Sequence, residues 1–372
     1  MACNKPLYRL PTIVEALPPQ FQHRVKNGAL VCNQQDRDYL IQVHGKKEDW
    51  FQQIPCGQCS ACRLEYSRQW AIRCVLEASY HKYNWFITLT YDDFHLPKGR
   101  LLDLETGELE QNEKGELRAV LLEKDMQDFL KRLRMSATRK GLRDDDLEDI
   151  RYFYAGEYGD SYQRPHYHML TFGLDIPDLQ IDFIKDGYRY FKSAWLSKLW
   201  GKGIVCVGEF NFDTAAYTAR YVMKKQKGQG AKEMREKKRT VIMPDNLSLT
   251  LEKSALRLEL KEFRDEFCRM SRRPGIGKRY FEEHKDKIYE SDSLYIKTCK
   301  GLMEVKPPSY YDNLFDIDNH SRLEEIKENR RQVAKARNAL KMAQTSLSEV
   351  EYREQLESKK KIQIKKLKRV IE

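Results

Sequence analysis

Ile150-Arg151-Tyr152-Phe153-Tyr154-Ala155-Gly156-Glu157, then Tyr158-Gly159-Asp160-Ser161-Tyr162-Gln163-Arg164-Pro165, then His166-Tyr167-His168-Met169-Leu170-Thr171-Phe172 is the stretch on which the fold turns. Its flanks are aromatic and apolar, and its middle carries Gly, Asp, Ser and Pro. It therefore reads as two strands joined by a turn-rich connection and paired as an antiparallel hairpin. Side chains alternate across a strand, so His166 and His168 project together while Tyr167 points away. Antiparallel pairing places Glu157, at the end of the first strand, where its carboxylate reaches the two imidazoles.

Working outward, Asn84 to Tyr91 reads Trp-Phe-Ile-Thr-Leu-Thr-Tyr after the Asn and is the clearest strand in the chain. Before it, Leu64, Ala71, Cys74, Val75 and Ala78 recur at helical spacing over Arg63 to His81. After it, Leu101 to Leu117 is polar, with Gly107 and Gly115, and reads as a loop or protruding hairpin. Met126, Phe129, Leu130 and Leu133 then mark a helix. Beyond Phe172 we expect a helix around Tyr190 to Leu199, a strand from Ile204 to Phe212 and a helix after Asp213. The resulting βαββαβα succession predicts an α+β fold, an antiparallel sheet with helices on one face, resembling a ferredoxin or RNA-recognition-motif topology.

Around this core, which spans 63–227, residues 1–62 form a small irregular cysteine-containing module. Residues 228–320 read as a basic linker and accessory region. Within it Lys227 to Arg239 is Lys/Glu/Gly-rich, and Arg269 to Arg279 holds Arg272 and Arg273 in a glycine-bearing loop suited to phosphate. Residues 321–372 carry a heptad rhythm through Asn329, Val333, Ala336, Leu340, Ala343, Leu347 and Val350, which predicts one long helix with a cationic end from Lys359 to Arg369.

The chain has 67 Lys+Arg against 56 Asp+Glu, a formal charge of +11, which favours a polyanionic partner, nucleic acid above all. No apolar run approaches the roughly 20 residues that span a bilayer, and Met1 to Tyr8 lacks a signal-peptide core, so the expected location is the cytoplasm. Of nine cysteines, Cys56, Cys59 and Cys62 cluster tightly, which fits reduced thiols or a structural Zn²⁺ better than secreted bridges. Cys32, or else Cys3, would supply a fourth ligand. Cys74, Cys206, Cys268 and Cys299 read as packing residues.

Two imidazoles and one carboxylate suit a divalent cation such as Mn²⁺, or Mg²⁺ with its stronger preference for oxygen, and leave coordination positions for phosphate. On the last core helix Tyr217 and Tyr221 lie one turn apart on a face that Lys224 shares, while Ala215, Ala219 and Val222 lie opposite. That split turns the phenols outward. Lys224 offers the positive charge a phenol needs to act as a nucleophile at neutral pH, and Arg220 and Lys225 are placed for flanking phosphates. A lone His-x-His is as readily a polar strand face, and tyrosines at this spacing commonly just pack. Taken together they predict a tyrosine that attacks a DNA phosphodiester and stays attached, releasing a 3′-hydroxyl that primes a polymerase.

Phe86-Ile87-Thr88-Leu89-Thr90-Tyr91, Arg164-Pro165-His166-Tyr167-His168 and Ala216-Tyr217-Thr218-Ala219-Arg220-Tyr221-Val222-Met223-Lys224-Lys225 resemble, in order, the three motifs of HUH-superfamily rolling-circle replication initiators. Pro55-Cys56-Gly57-Gln58-Cys59, Cys62-Arg63 and Ser67-Arg68-Gln69-Trp70-Ala71 further resemble the initiators of gokushoviruses, single-stranded DNA phages of the Microviridae. The resemblance implies an HUH endonuclease core that nicks and rejoins phage origin DNA in a bacterial host. It maps Tyr217 and Tyr221 to the nucleophiles, His166 and His168 to the metal ligands and Lys224 to the helix lysine. No Walker-type loop occurs in the sequence, so a host helicase, with a host DNA polymerase, is the expected partner. A relaxase- or transposase-type nickase, or a non-catalytic zinc-stabilised nucleic-acid-binding protein, are the alternatives.

Overall fold

The computed structural model of the chain describes residues 3–11, 17–103, 109–110, 118–143, 150–159, 164–185, 187–224, 238–242, 260–262, 266–299 and 301–366. They fall into two compact units, residues 1–66 with 324–372 and residues 67–323.

The first unit contains β1 (Leu7–Pro11), α1 (Pro19–Gln22), β2 (Val25–Lys26), β3 (Ala29–Cys32), α2 (Gln34–Gln42) and β4 (Gln52–Ile54), and α3 (Ser60–Ala78) begins within it. Its four strands form an antiparallel sheet in the order β2-β3-β1-β4. Tyr8, Leu10, Leu17, Phe21, Leu30, Cys32, Leu40 and Phe51 make its core. The module expected to be irregular is thus a small sheet whose strands are too short to show a period. The expected single C-terminal helix is two, His320–Ala343 and Glu349–Lys366. Ser348 and Glu351 cause the break. Ser348 N–H and Oγ donate to the Glu351 carboxylate at 2.9 and 2.7 Å, and Glu351 N–H donates back to Ser348 Oγ at 3.3 Å. This reciprocal capping box starts a new helix against the heptad rhythm.

The second unit is built on β5 (Asn84–Tyr91), β6 (Lys98–Asp103), β7 (Leu109–Glu110), β8 (Arg118–Ala119), α4 (Glu123–Lys140), β9 (Arg151–Tyr158) and β10 (Pro165–Phe172). It continues with β11 (Gln180–Lys185), β12 (Tyr188–Lys192), α5 (Ala194–Trp200), β13 (Gly203–Glu209) and α6 (Phe212–Lys224). Later come β14 (Lys238–Ile242), β15 (Leu260–Glu262) and β16 (Phe267–Met270). Seven strands form one antiparallel sheet in the order β11-β12-β13-β5-β10-β9-β16. The expected hairpin is β9 and β10, and it sets His166 opposite Glu157 and His168 opposite Ala155. On its other side β10 pairs with β5, His166 opposite Thr90 and His168 opposite Thr88.

Ile87, Leu89, Tyr91, Tyr154, Tyr167, Met169, Val205 and Val207 of this sheet pack with Met126, Phe129, Leu130 and Leu133 of α4 and Leu196 and Trp200 of α5. The expectation of helices on one face holds for these two crossover helices. The other face is also covered, because the chain supplies a helix before β5 and another after β13. Trp70 of α3 meets Phe153, and Tyr217 of α6 meets Phe86.

Two further expectations change. The helix placed from Tyr190 begins only at Ala194, where the Ser193 hydroxyl caps it by accepting from Leu196 N–H at 3.0 Å. Tyr188–Lys192 before it is β-rich and forms a hairpin with β11. Of the stretch assigned to a linker, 227–237 lie outside the described residues, and Lys238–Ile242 is strand β14, paired with β6. The hairpin expected in Leu101 to Leu117 is present as β6 paired with β7. Among the described residues no helix is long and apolar enough to cross a membrane.

Candidate active site

Alternation along β10 puts both histidines on the sheet face that carries α6. Thr88 Oγ1 shares a hydrogen bond with His168 Nδ1 at 3.1 Å, and Thr90 Oγ1 with His166 Nδ1 at 2.9 Å. The Nε2 atom of His168 lies 2.7 Å from Glu157 Oε1. Glu157 and His168 are both buried, so each satisfies a polar group that burial would otherwise penalise. Burial, reinforced by the neighbouring His168 and opposed by Glu157, lowers the pKa of His166 to about 4. Its imidazole is therefore neutral at physiological pH, the form that binds a cation. Gly159 gives that ring its space: a Cβ there would lie 2.9 Å from His166 Nε2. Arg164 secures the turn by donating to the Tyr91 carbonyl at 2.7 Å.

Tyr167 points to the opposite face, as alternation requires. Its hydroxyl donates to Leu122 O at 2.8 Å, accepts from Leu122 N–H at 3.0 Å and lies 3.0 Å from the Tyr91 hydroxyl. It is a rivet between the sheet and the start of α4.

On α6, Tyr217 is turned inward and is only 3% exposed, contrary to the outward face expected from the helix periodicity. Its ring stands edge-on to His168, 5.2 Å between centroids, and edge-on to Phe86 at 5.9 Å. Phe86 in turn stacks on His168 at 5.7 Å. Ala215, Thr218 and Ala219 are buried as well, so α6 is covered over much of its circumference and a two-sided amphipathic reading fails. Arg220 lies over the Tyr217 ring, 5.5 Å from its centroid. Tyr221 and Lys224 belong to the α6 backbone, but their side chains, like the whole of Lys225, lie outside the described residues. Arg272 and Arg273 are exposed in the turn after β16.

The structure brings Cys3 together with Cys56, Cys59 and Cys62, all four sulfur atoms within 4.8 Å of one another. This group can hold a metal and is compatible with structural Zn²⁺. Cys32 is not part of it. It occupies the same strand face as Leu30, is buried in the core of the first unit and donates weakly to Tyr8 O at 3.6 Å. Among the described residues this is the one group of three or more candidate ligands at that spacing; His166, His168 and Glu157 are gathered more loosely.

The sequence model of the replication-associated protein ORF2 family matches residues 84–226, the stretch from β5 through α6. Over 340 residues the chain is 32% identical to the replication-associated protein ORF2 of Spiroplasma virus 4, covering 90% of this chain and 87% of that one. The chain belongs to this replication-associated protein family. Within it, the chain is 34% identical over 173 residues to the replication-associated protein VP4 of Bdellovibrio phage phiMH2K, covering 46% of this chain and 48% of the relative. It is 31% identical over 178 residues to the replication-associated protein ORF4 of Chlamydia phage 1, covering 46% and 38%. No solved structure matches.

Three residues that position the site carry a readable signal in the sequence that the motifs alone do not use. Thr88 and Thr90 alternate with Ile87, Leu89 and Tyr91 in the strand next to the histidines. Their parity alone aims both hydroxyls at the imidazole face. Gly159, one residue beyond β9, marks the close approach of His166.

Proposed function

We propose that this chain is a site-specific, metal-dependent DNA nickase and strand-joining transesterase that initiates rolling-circle replication of a small phage genome. The observation that carries this reading is the edge-on contact of Tyr217 with His168, 5.2 Å between rings, on the face that also holds His166 and Glu157. The middle of the sheet runs β13-β5-β10-β9, with both crossover helices on the opposite face. This is the order expected of a ferredoxin or RNA-recognition-motif topology, and it supports an HUH endonuclease core. Membership of a family whose members are named replication-associated supports the setting.

A tyrosine oxygen attacks the scissile phosphorus, the Tyr O–P bond forms and the P–O3′ bond breaks. The departing oxygen takes a proton and becomes the 3′-hydroxyl primer, while the 5′-phosphate stays on the enzyme. The second tyrosine serves the closing attack, so rejoining requires no ATP. The donor set fits a divalent cation: Thr88 and Thr90 engage each Nδ1, leaving Nε2 as the ligand atom on both rings, with the Glu157 carboxylate alongside. Mn²⁺ or Mg²⁺ bound there supplies Lewis-acid polarisation of the phosphate. Lys224 favours the phenolate, and Arg220, Lys225, Arg272 and Arg273 contact flanking phosphates. A host helicase and DNA polymerase complete the cycle.

The test is incubation with single-stranded origin DNA and Mn²⁺ or Mg²⁺, followed by denaturing electrophoresis. A covalent adduct forms with the wild type and is absent from the Tyr217→Phe/Tyr221→Phe double variant. His168→Ala loses the adduct yet keeps most DNA affinity, which rests on phosphate contacts elsewhere. An adduct that survives the double substitution would sink the proposal.

A further inference from the structure

We propose that Cys3, Cys56, Cys59 and Cys62 form a four-thiolate zinc site that holds the C-terminal helix Glu349–Lys366 in place through the buried carboxylate of Glu357. The sulfur geometry comes first. Cys3 Sγ and Cys59 Sγ are 3.7 Å apart, whereas a disulfide requires about 2.05 Å. A tetrahedron with Zn–S bonds of about 2.3 Å has edges of about 3.8 Å. The backbone is arranged to match. Cys56 Sγ accepts from Gln58 N–H at 3.4 Å and from Cys59 N–H at 3.2 Å, and Cys3 Sγ accepts from Cys56 N–H at 3.3 Å. Such donors stabilise thiolate, the form that binds metal. Gly57, at φ +70°, lets the chain fold tightly round Cys56.

The link to the helix runs through the residues next to two of these cysteines. Asn4, after Cys3, donates its Nδ2 to Glu357 Oε2 at 2.7 Å. Ser60, after Cys59, donates its N–H at 3.0 Å and its hydroxyl at 2.7 Å to Glu357 Oε1. Glu357 is only 7% exposed and therefore depends on these three donors. Ser60 also opens α3, whose N-terminal dipole favours a carboxylate. The metal fixes Cys3 relative to Cys59, which holds Asn4 and Ser60 on the same carboxylate. Without it, the N-terminal donor and the α3 donors are free to separate, and a buried carboxylate without partners expels its helix.

The experiment uses the full chain purified from zinc-supplemented cells, with metal content by plasma mass spectrometry and hydrogen exchange across the whole protein. We expect one zinc per chain. Stripping it with a mercurial and a chelator should raise exchange in Glu349–Lys366 by about tenfold or more, leaving β5 and β10 unchanged. Glu357→Gln should keep the zinc and show the same faster exchange in that helix. Cys59→Ser should lose both, and if that variant does not fold, the stripped wild type gives the same comparison. Absence of zinc, or iron in its place, overturns the site. Zinc whose removal, or whose Glu357→Gln variant, leaves Glu349–Lys366 exchange unchanged overturns the coupling.

Discussion

Along β5 and β10 the odd and even residues part company. Ile87, Leu89, Tyr91, Tyr167 and Met169 meet α4 and α5 in a layer that is almost wholly apolar, whereas Thr88, Thr90, His166 and His168 set polar atoms beneath α6. Both layers are largely shielded from water. The first gains free energy from burial alone. The second avoids a penalty only because each hydroxyl and imidazole has a partner. A fold seeking stability alone would fill both faces with hydrocarbon, so the polar face marks where stability has been exchanged for chemistry.

The sharpest break in this comparison is Phe129→Ala on the apolar side. Phe129 is fully buried, and its truncation should cost about 3–5 kcal/mol, read as a fall in urea midpoint. A loss below about 1 kcal/mol would show that the odd face is not the main source of stability.

Next comes Glu77 of α3, which borders the polar layer. Its carboxylate pairs with Arg151, accepts from Gly277 N–H at 2.6 Å and lies 3.5 Å from His81 Nε2. Burial pushes its pKa up, but His81, Arg151 and the Gly277 amide together outweigh that and hold it below the ordinary carboxylate range. Because the folded value is depressed, its stabilisation is complete above the unfolded value of about 4.3 and is lost as pH falls through the folded one. Glu77→Gln should cost about 3 kcal/mol at neutral pH by leaving Arg151 buried without its counter-ion. The variant should also flatten the acid limb of stability against pH, and an unchanged acid limb would remove Glu77 from this role.

Much of the apolar layer is legible in the sequence, because a period of two over Asn84 to Tyr91 and His166 to Phe172 fixes which residues share a face. The same rule, applied across the β9–β10 turn, brings Glu157 to the histidines. What stays hidden depends on contacts distant in sequence. The inward turn of Tyr217 follows from what covers α6, which its own periodicity does not encode. Cys3 joins the metal cluster through a loop closure that spacing does not reveal, although Cys32 shares its parity with Leu30 and could have been assigned to the core. The helix break after Ala343 is written locally, in Ser348 and Glu351, but the heptad rhythm obscures it.

The smallest change in stability should come with a large change in activity, and that contrast sharpens the comparison most. Thr88→Val keeps the shape of the side chain and removes one hydrogen bond, that to His168 Nδ1. Its cost to folding should be about 1 kcal/mol. The hydroxyl, however, fixes the orientation and tautomer of the imidazole, and groups in that position typically control about 10–100-fold in metal affinity or activity. We therefore expect adduct formation to need about tenfold more Mn²⁺, with single-stranded DNA affinity unchanged and Thr88→Ser restoring the wild-type requirement. Were Thr88→Val to match the wild type in Mn²⁺ dependence, the hydroxyl would serve only to satisfy a buried polar atom. The even face would then differ from the odd one in composition without differing in purpose.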